Sequence, residues 1–169
     1  MCREEYGMDD TMLEREKEYR LNYVQGHIPS VYPGIETIMR RQKELGGLIC
    51  VVSHSMRHNI LRDFQANGLP EPDLVYGWDL EPEKRKPDPF CLYDIEEKLG
   101  LKAEDLLVLD DLKPGYDMAR AAGVTFAAAG WANDVPEIEG FMRKNCDFYF
   151  KTVDSFGRFL LEETPAQHI

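Results

Sequence analysis

The chain reads as an α/β protein built on a Rossmann-like three-layer α/β/α parallel sheet. Three observations lead there: short β-branched or fully apolar runs alternate with amphipathic helical stretches; glycines close most of those helices; and several apolar runs end in polar or acidic residues. Strands that alternate with helices form parallel sheets, because a parallel connection needs a crossover.

The order begins at residues 1–25, rich in Glu, Arg, Lys and Tyr. Asp9 or Asp10 can cap a helix whose pattern includes Met12, Leu13, Tyr19, Tyr23 and Val24. Helices are expected over residues 34–45, 56–66, 89–99 and 113–122. Gly46-Gly47, Gly68, Gly100 and Gly123 stop them. Strands are expected near 48–52, 74–76, 106–109, 125–128 and 148–150. The last helices fall near 137–144 and 153–162, and residues 164–169 form a frayed tail.

Three segments carry chemistry. Leu48-Ile49-Cys50-Val51-Val52 ends in Ser53, a hydroxyl at the carboxyl edge of a strand. Lys86 lies in Lys84-Arg85-Lys86-Pro87-Asp88-Pro89, where two prolines forbid regular structure and hold an extended turn. Leu106-Leu107-Val108-Leu109 suits a buried parallel strand and ends in Asp110-Asp111, an acidic pair that is costly unless a cation binds it.

Ligands of open α/β sheets bind outside the carboxyl ends of the strands, so the three segments converge. A hydroxyl, an ammonium and two hard carboxylates fit a Mg²⁺-dependent phosphoryl site. Each residue also has a plainer reading. Ser53 can cap the next helix, Lys86 can be a solvated loop charge, as Lys84 and Arg85 are expected to be, and Asp110-Asp111 can form a turn or cap.

At these residues the chain resembles the haloacid dehalogenase-like hydrolases. Val51-Val52-Ser53, Lys86-Pro87-Asp88-Pro89 and Leu109-Asp110-Asp111-Leu112-Lys113-Pro114-Gly115 are similar to the family's second, third and fourth motifs. Met118-Ala119-Arg120-Ala121-Ala122-Gly123-Val124 and Tyr32-Pro33-Gly34-Ile35 extend the likeness, which covers roughly residues 28–152 and looks nearest to the phosphoglycolate phosphatase and β-phosphoglucomutase branch.

The resemblance implies roles residue by residue. Ser53 bonds the transferring phosphoryl group, with the His54 amide beside it. Lys86 offsets the charge of phosphate and nucleophile. Asp111 is a direct Mg²⁺ ligand, and Asp110 a direct or water-mediated one. Gly115 stands where that branch has a glycine after the pair.

The departure concerns the first motif. The family's nucleophile is the first aspartate of an Asp-x-Asp motif ending the first strand, and the second aspartate is its general acid and base. No aspartate here has another two positions away. Residues 1–27 resemble the end of a helical cap, and residues 28–169 a core without its first strand, as if the N-terminal part lay outside this chain. The strands near 48–52 and 106–109 are then expected to expose apolar edges open to self-association.

Composition narrows the remaining classes. A formal net charge of −11 disfavours nucleic acid and anionic membrane as partners. No apolar run is long enough to span a bilayer, and none at the N-terminus reads as a signal peptide. Cys2, Cys50, Cys91 and Cys146 lack zinc or redox spacing, so free thiols in a reducing cytoplasm are expected. His27, His54 and His58 are read as surface or cap contacts, and His168 as part of the tail.

The expected function is a Mg²⁺-dependent phosphatase of a small phosphorylated metabolite, inactive in this chain without its nucleophile motif. A non-catalytic relative binding phosphate or metal as a regulator or scaffold is the alternative, and a phosphomutase of the same family another. A receiver-like signalling domain has similar residues, but its acids precede the lysine, the reverse of the order here.

Overall fold

The computed structural model describes Gly7 and residues 9–161. The expectations for Cys2, His168, the tail and the end of the last helix fall outside those residues. The chain divides into two compact units between Ser30 and Val31.

The first unit is helix α1 (Asp10–Gly26). Asp9 caps it, its Oδ1 accepting the Met12 N–H at 2.8 Å. Tyr19, Tyr23 and His27 stack in sequence along it, Tyr23 and His27 at 3.9 Å between centroids.

The second unit alternates strands and helices: α2 (Ile35–Glu44), β1 (Cys50–Val52), α3 (Arg57–Ala66), β2 (Leu74–Tyr76), α4 (Phe90–Leu99), β3 (Leu107–Asp110), α5 (Lys113–Ala122), β4 (Thr125–Ala129), α6 (Pro136–Asn145), β5 (Phe148–Phe150) and α7 (Val153–Leu161). All strand pairings are parallel. The expected α/β fold of parallel strands with flanking helices is therefore present. Its strands form two hydrogen-bonded groups, β1-β2 and β3-β4-β5. Among the described residues β1 pairs only with β2, and β3 only with β4, so each keeps one edge without a strand partner.

One core cluster joins both groups of strands. Tyr76, Cys91, Leu92, Ile95, Met118 and Val124 are buried together, with Cys50, Val52 and Val108 packed against them. A second cluster sets Phe126 and Ala128, on one face of β4, against Ala119 of α5 and Met142 of α6. Gly157 of α7 lets Ile38 of α2 approach closely, since a Cβ there would lie 2.8 Å from Ile38 Cδ1.

Several boundaries differ from the sequence reading for local reasons. β1 begins at Cys50 rather than residue 48, because the Ile49 N–H goes to Asp73 Oδ2 at 2.7 Å. Helix α3 starts after Met56, whose extended backbone makes it the cap. Helix α4 starts at Phe90, its N–H taken by Asp88 Oδ1. Two short 3₁₀ turns, Pro82–Lys84 and Ala103–Asp105, lie between the expected elements.

Asp73 and Asp147 brace the amino ends of the two parallel groups in the same way. Each stands just before the second strand of a pair and accepts an N–H at the start of the first, from Ile49 just ahead of β1 for Asp73 and from Phe126 in β4 for Asp147. Each also pairs with a helix cation, Lys43 at 2.6 Å and Arg120 at 3.0 Å. The carboxyl ends of the strands are left for other residues.

Candidate active site

Lys86 and Asp110 meet directly. Lys86 Nζ stands 2.6 Å from Asp110 Oδ2, with both side chains largely buried, at 12% and 14% exposed. Lys86 is thus not a solvated loop charge. Asp110 Oδ1 accepts the N–H groups of Asp111 at 2.8 Å and Leu112 at 3.1 Å. The turn-forming role and the charge-pairing role coexist in one carboxylate.

Glycine 115 makes room for this carboxylate. A Cβ at that position would lie 2.6 Å from Asp110 Cβ and closer still to its carboxylate atoms.

Asp111 follows directly on β3. Burial first, and then the Asp110 carboxylate beside it, push its carboxyl above the ordinary value. Asn133 Nδ2 donates to the Asp111 carbonyl at 3.3 Å.

Ser53 closes β1, its N–H bonded to the Tyr76 carbonyl at 2.9 Å. Its Oγ accepts the Ser55 N–H at 3.0 Å, and the cap of α3 is Met56. The plainer reading of Ser53 as the helix cap therefore fails, and among the described residues no acceptor takes its O–H.

His54 Nε2 donates to the Lys86 carbonyl at 3.2 Å, a contact that ties the β1 loop to the lysine loop. His54 side chain, Lys86 and Asp110 thus form one connected series. Ser53 is the chain neighbour of its first member.

Three residues that sequence reasoning passed over, Asp79, Trp78 and Gly77, hold this arrangement, and Arg85, expected to be a solvated loop charge, packs against them instead. Asp79 Oδ1 accepts the Arg57 N–H at 2.7 Å, so the amino end of α3 is capped from the loop after β2. Trp78 N–H donates to the Ser55 carbonyl at 2.8 Å. Gly77 permits that approach, since a Cβ there would lie 2.6 Å from the Arg57 nitrogen and 2.8 Å from the Ser55 carbonyl oxygen. Arg85 lies over the Trp78 ring at 4.2 Å. The only sequence signal was Gly-Trp-Asp directly after an apolar strand.

The donor set fits a hard divalent cation. Two adjacent carboxylates end a strand, and one is disfavoured as an anion by burial and by its neighbour, a cost that a cation relieves. Among the described residues no group of three or more His, Cys, Asp or Glu side chains gathers around one point.

Comparison with known proteins places these residues in context. The family model for haloacid dehalogenase-like hydrolases matches residues 3–129. A phosphoglycolate phosphatase of Pseudomonas savastanoi pv. phaseolicola is 28% identical over 133 residues, covering 74% of this chain and 47% of that protein. One from Pseudomonas syringae pv. syringae matches with the same identity and coverage. The chain thus spans about half the length of the curated relatives it matches. A predicted phosphoglycolate phosphatase from Haemophilus somnus superposes with a TM-score of 0.77 at 19% identity, over 90% of this chain and 67% of that one. A conserved haloacid dehalogenase-like protein of Agrobacterium tumefaciens gives 0.77 at 17% identity, over 94% and 73%. At these identities the structural likeness speaks for the fold.

Proposed function

Because the chain belongs to the haloacid dehalogenase-like hydrolase family, we propose that it supplies the phosphate- and Mg²⁺-binding part of a phosphatase acting on a small phosphorylated metabolite of the phosphoglycolate type. The observation that carries this reading is the buried Lys86–Asp110 pair at the carboxyl end of β3, with Asp111 beside it and His54 bonded to the same lysine's carbonyl.

Each residue then has a defined task. Lys86 places a fixed positive charge where phosphoryl oxygens gather, and desolvation makes that charge more effective than a surface lysine. Ser53 Oγ donates its proton to a phosphoryl oxygen while its lone pair stays on Ser55 N–H. The His54 amide adds a second donor. Asp111, with Asp110 directly or through water, holds Mg²⁺, which when bound neutralises phosphate charge and polarises the phosphoryl group.

In this reading α1 belongs to a cap and residues 28–169 to the catalytic core. The unpaired edges of β1 and β3 accept a further strand that carries the nucleophile, or associate with one another's copies. Free Cys50, Cys91 and Cys146 agree with a cytoplasmic setting. Among the described residues no helix is long and apolar enough to cross a membrane.

A second reading, a non-catalytic phosphate or metal binder, is favoured by the lack of any Asp-x-Asp in the sequence. Both readings expect no turnover from this chain. With no covalent route, this chain is expected to hydrolyse p-nitrophenyl phosphate at background with Mg²⁺ while binding phosphate. Robust Mg²⁺-dependent hydrolysis would point to a replacement nucleophile, and absence of phosphate binding would refute both readings.

A further inference from the structure

The outer strand β5 lies in a segment that is complementary to itself. Asp147-Phe148-Tyr149-Phe150-Lys151 is an aromatic palindrome with opposite charges at its two ends. Among the described residues β5 pairs with β4 alone, so its outer edge has no strand partner. The Phe150 carbonyl takes the Gly130 N–H at 2.9 Å, which sets the backbone of Phe150, and of Phe148 two residues before it, toward β4. Tyr149, between them, therefore turns its N–H and C=O to the outer edge.

The surface beside that edge is aromatic. Phe148 and Phe150 stack at 6.2 Å, and both meet Phe159 of α7, at 4.5 and 5.1 Å. Phe148 is nevertheless 38% exposed and Phe159 42%. Lys151 is exposed and enters no ion pair among the described residues. Edge strands are usually protected by charge, proline or a bulge, and between its end charges this one carries none of them.

Antiparallel pairing of two β5 edges about Tyr149 satisfies all of these groups together. Tyr149 exchanges both backbone bonds with Tyr149 of a second copy. Phe148 faces Phe150 on either side of the junction as an aromatic cross-strand pair, and Lys151 faces Asp147. Asp147 already bonds Arg120, and its side chain keeps 34% exposure. A register shifted by one step in either direction separates the charges and breaks the ring pairs.

We propose that the chain forms a two-fold symmetric dimer through β5, which joins two three-stranded groups into one continuous sheet and buries Phe148, Phe150 and Phe159 of both copies at the junction. The occupant of the edge is a second copy of the chain, because the order of rings and charges in the segment matches its own reverse. This interface is separate from the open edges of β1 and β3 and does not depend on the phosphatase reading. The strands of the two copies run in opposite directions, so their Lys86–Asp110 sites lie on opposite sides of the dimer.

Sedimentation velocity on the full chain over a series of concentrations tests this, and a monomer–dimer equilibrium is expected. Lys151→Glu sets two acids opposite each other at both ends of the junction and should raise the dissociation constant about fivefold or more. Cysteine pairs read the register. A Phe148→Cys chain and a Phe150→Cys chain, mixed under mild oxidation, should cross-link to each other, because residues facing in this way stand about 4.5 Å apart between Cα atoms. Neither should cross-link to its own copy through that position, where the separation is about 7–8 Å. Peptide mass mapping tells this disulfide from any made by the native cysteines, and circular dichroism reports that each variant is folded.

A monomer at every concentration overturns the inference; protection of Phe148 and Phe159 from hydroxyl-radical labelling in that monomer assigns the patch to residues 162–169 of the same chain. A dimer indifferent to Lys151→Glu, or one that yields no disulfide between positions 148 and 150, overturns it as well and moves the association to the β1 and β3 edges.

Discussion

No side chain larger than hydrogen fits at position 115 while Asp110 keeps its place, because a Cβ there would stand 2.6 Å from Asp110 Cβ and nearer still to the carboxylate. Gly115 lies in the first turn of α5, and Asp110 ends β3. Their closeness lets one carboxylate bond two backbone N–H groups and an ammonium together. Gly115→Ala should therefore cost about 1–3 kcal/mol, the usual range for overpacking a tight site. Urea denaturation should show a lower midpoint with an unchanged slope, and phosphate affinity should fall with it. Wild-type stability and affinity in the variant would show that Asp110 can move freely.

Breaking the Lys86–Asp110 pair from one side should be worse than removing both charges. Lys86→Met leaves a largely buried carboxylate without its cation, at a cost of about 3 kcal/mol. Asp110→Asn alone leaves the ammonium uncompensated. The double variant should recover part of the loss, and a double-mutant cycle from denaturation curves measures how much. Strict additivity would mean that the pair does not interact.

Acid should loosen the amino ends of the strands. Burial alone would raise the Asp73 carboxyl, but the Ile49 N–H and the Lys43 ammonium outweigh it and hold it below the ordinary 3.8. The unfolded chain then takes up the proton first, so this stabilisation is full above about pH 4 and disappears as pH falls through the lower native value. Asp73→Asn should destabilise at pH 7 by about 1–2 kcal/mol and converge on wild type in acid, once pH has fallen below the native value. Melting curves across that range check the sign; a gap that persists at low pH would place the effect in packing.

The thiols should be inert in the native chain. Burial first, then Asp94 and Asp88, push the Cys91 thiol up to about 11. Burial likewise raises Cys50 and Cys146. At pH 7.5 the Cys91 thiolate fraction is then on the order of one in a thousand or below. Disulfide-exchange labelling followed by peptide mass mapping should find Cys91 modified only after unfolding. Rapid native labelling of Cys91 would contradict its burial.

The elements most legible in the sequence were those with strong local marks. Gly100 and Gly123 stop α4 and α5 in the left-handed conformation that glycine favours, as their positions after periodic runs imply. Lys86 and Asp110 were legible because prolines and an apolar run announce where each chain segment must end, and they do meet. Asp79, Gly77 and Trp78 were not, since they act across 20 residues or more on backbone groups of the β1–α3 turn. No periodicity reports such a contact. The role of Ser53 as something other than a cap also depended on geometry, because its hydroxyl reaches Ser55 while Met56 begins the helix. Asp73 and Asp147 carried no signal as single acids in loops; their equivalence appears only when the strand pairs are aligned.

The central claim is that Asp111, beside the Lys86–Asp110 pair, makes phosphate and Mg²⁺ bind as one coupled site. The direct test is calorimetric phosphate affinity of the full chain with and without saturating Mg²⁺, repeated for Asp111→Asn. Coupling requires Mg²⁺ to tighten phosphate binding in the wild type, by about fivefold or more, and by the same factor phosphate to tighten Mg²⁺. Asp111→Asn should remove that enhancement and keep weak, Lys86-dependent phosphate binding. Equal phosphate affinity with and without Mg²⁺, or an enhancement that survives in Asp111→Asn, would contradict the account.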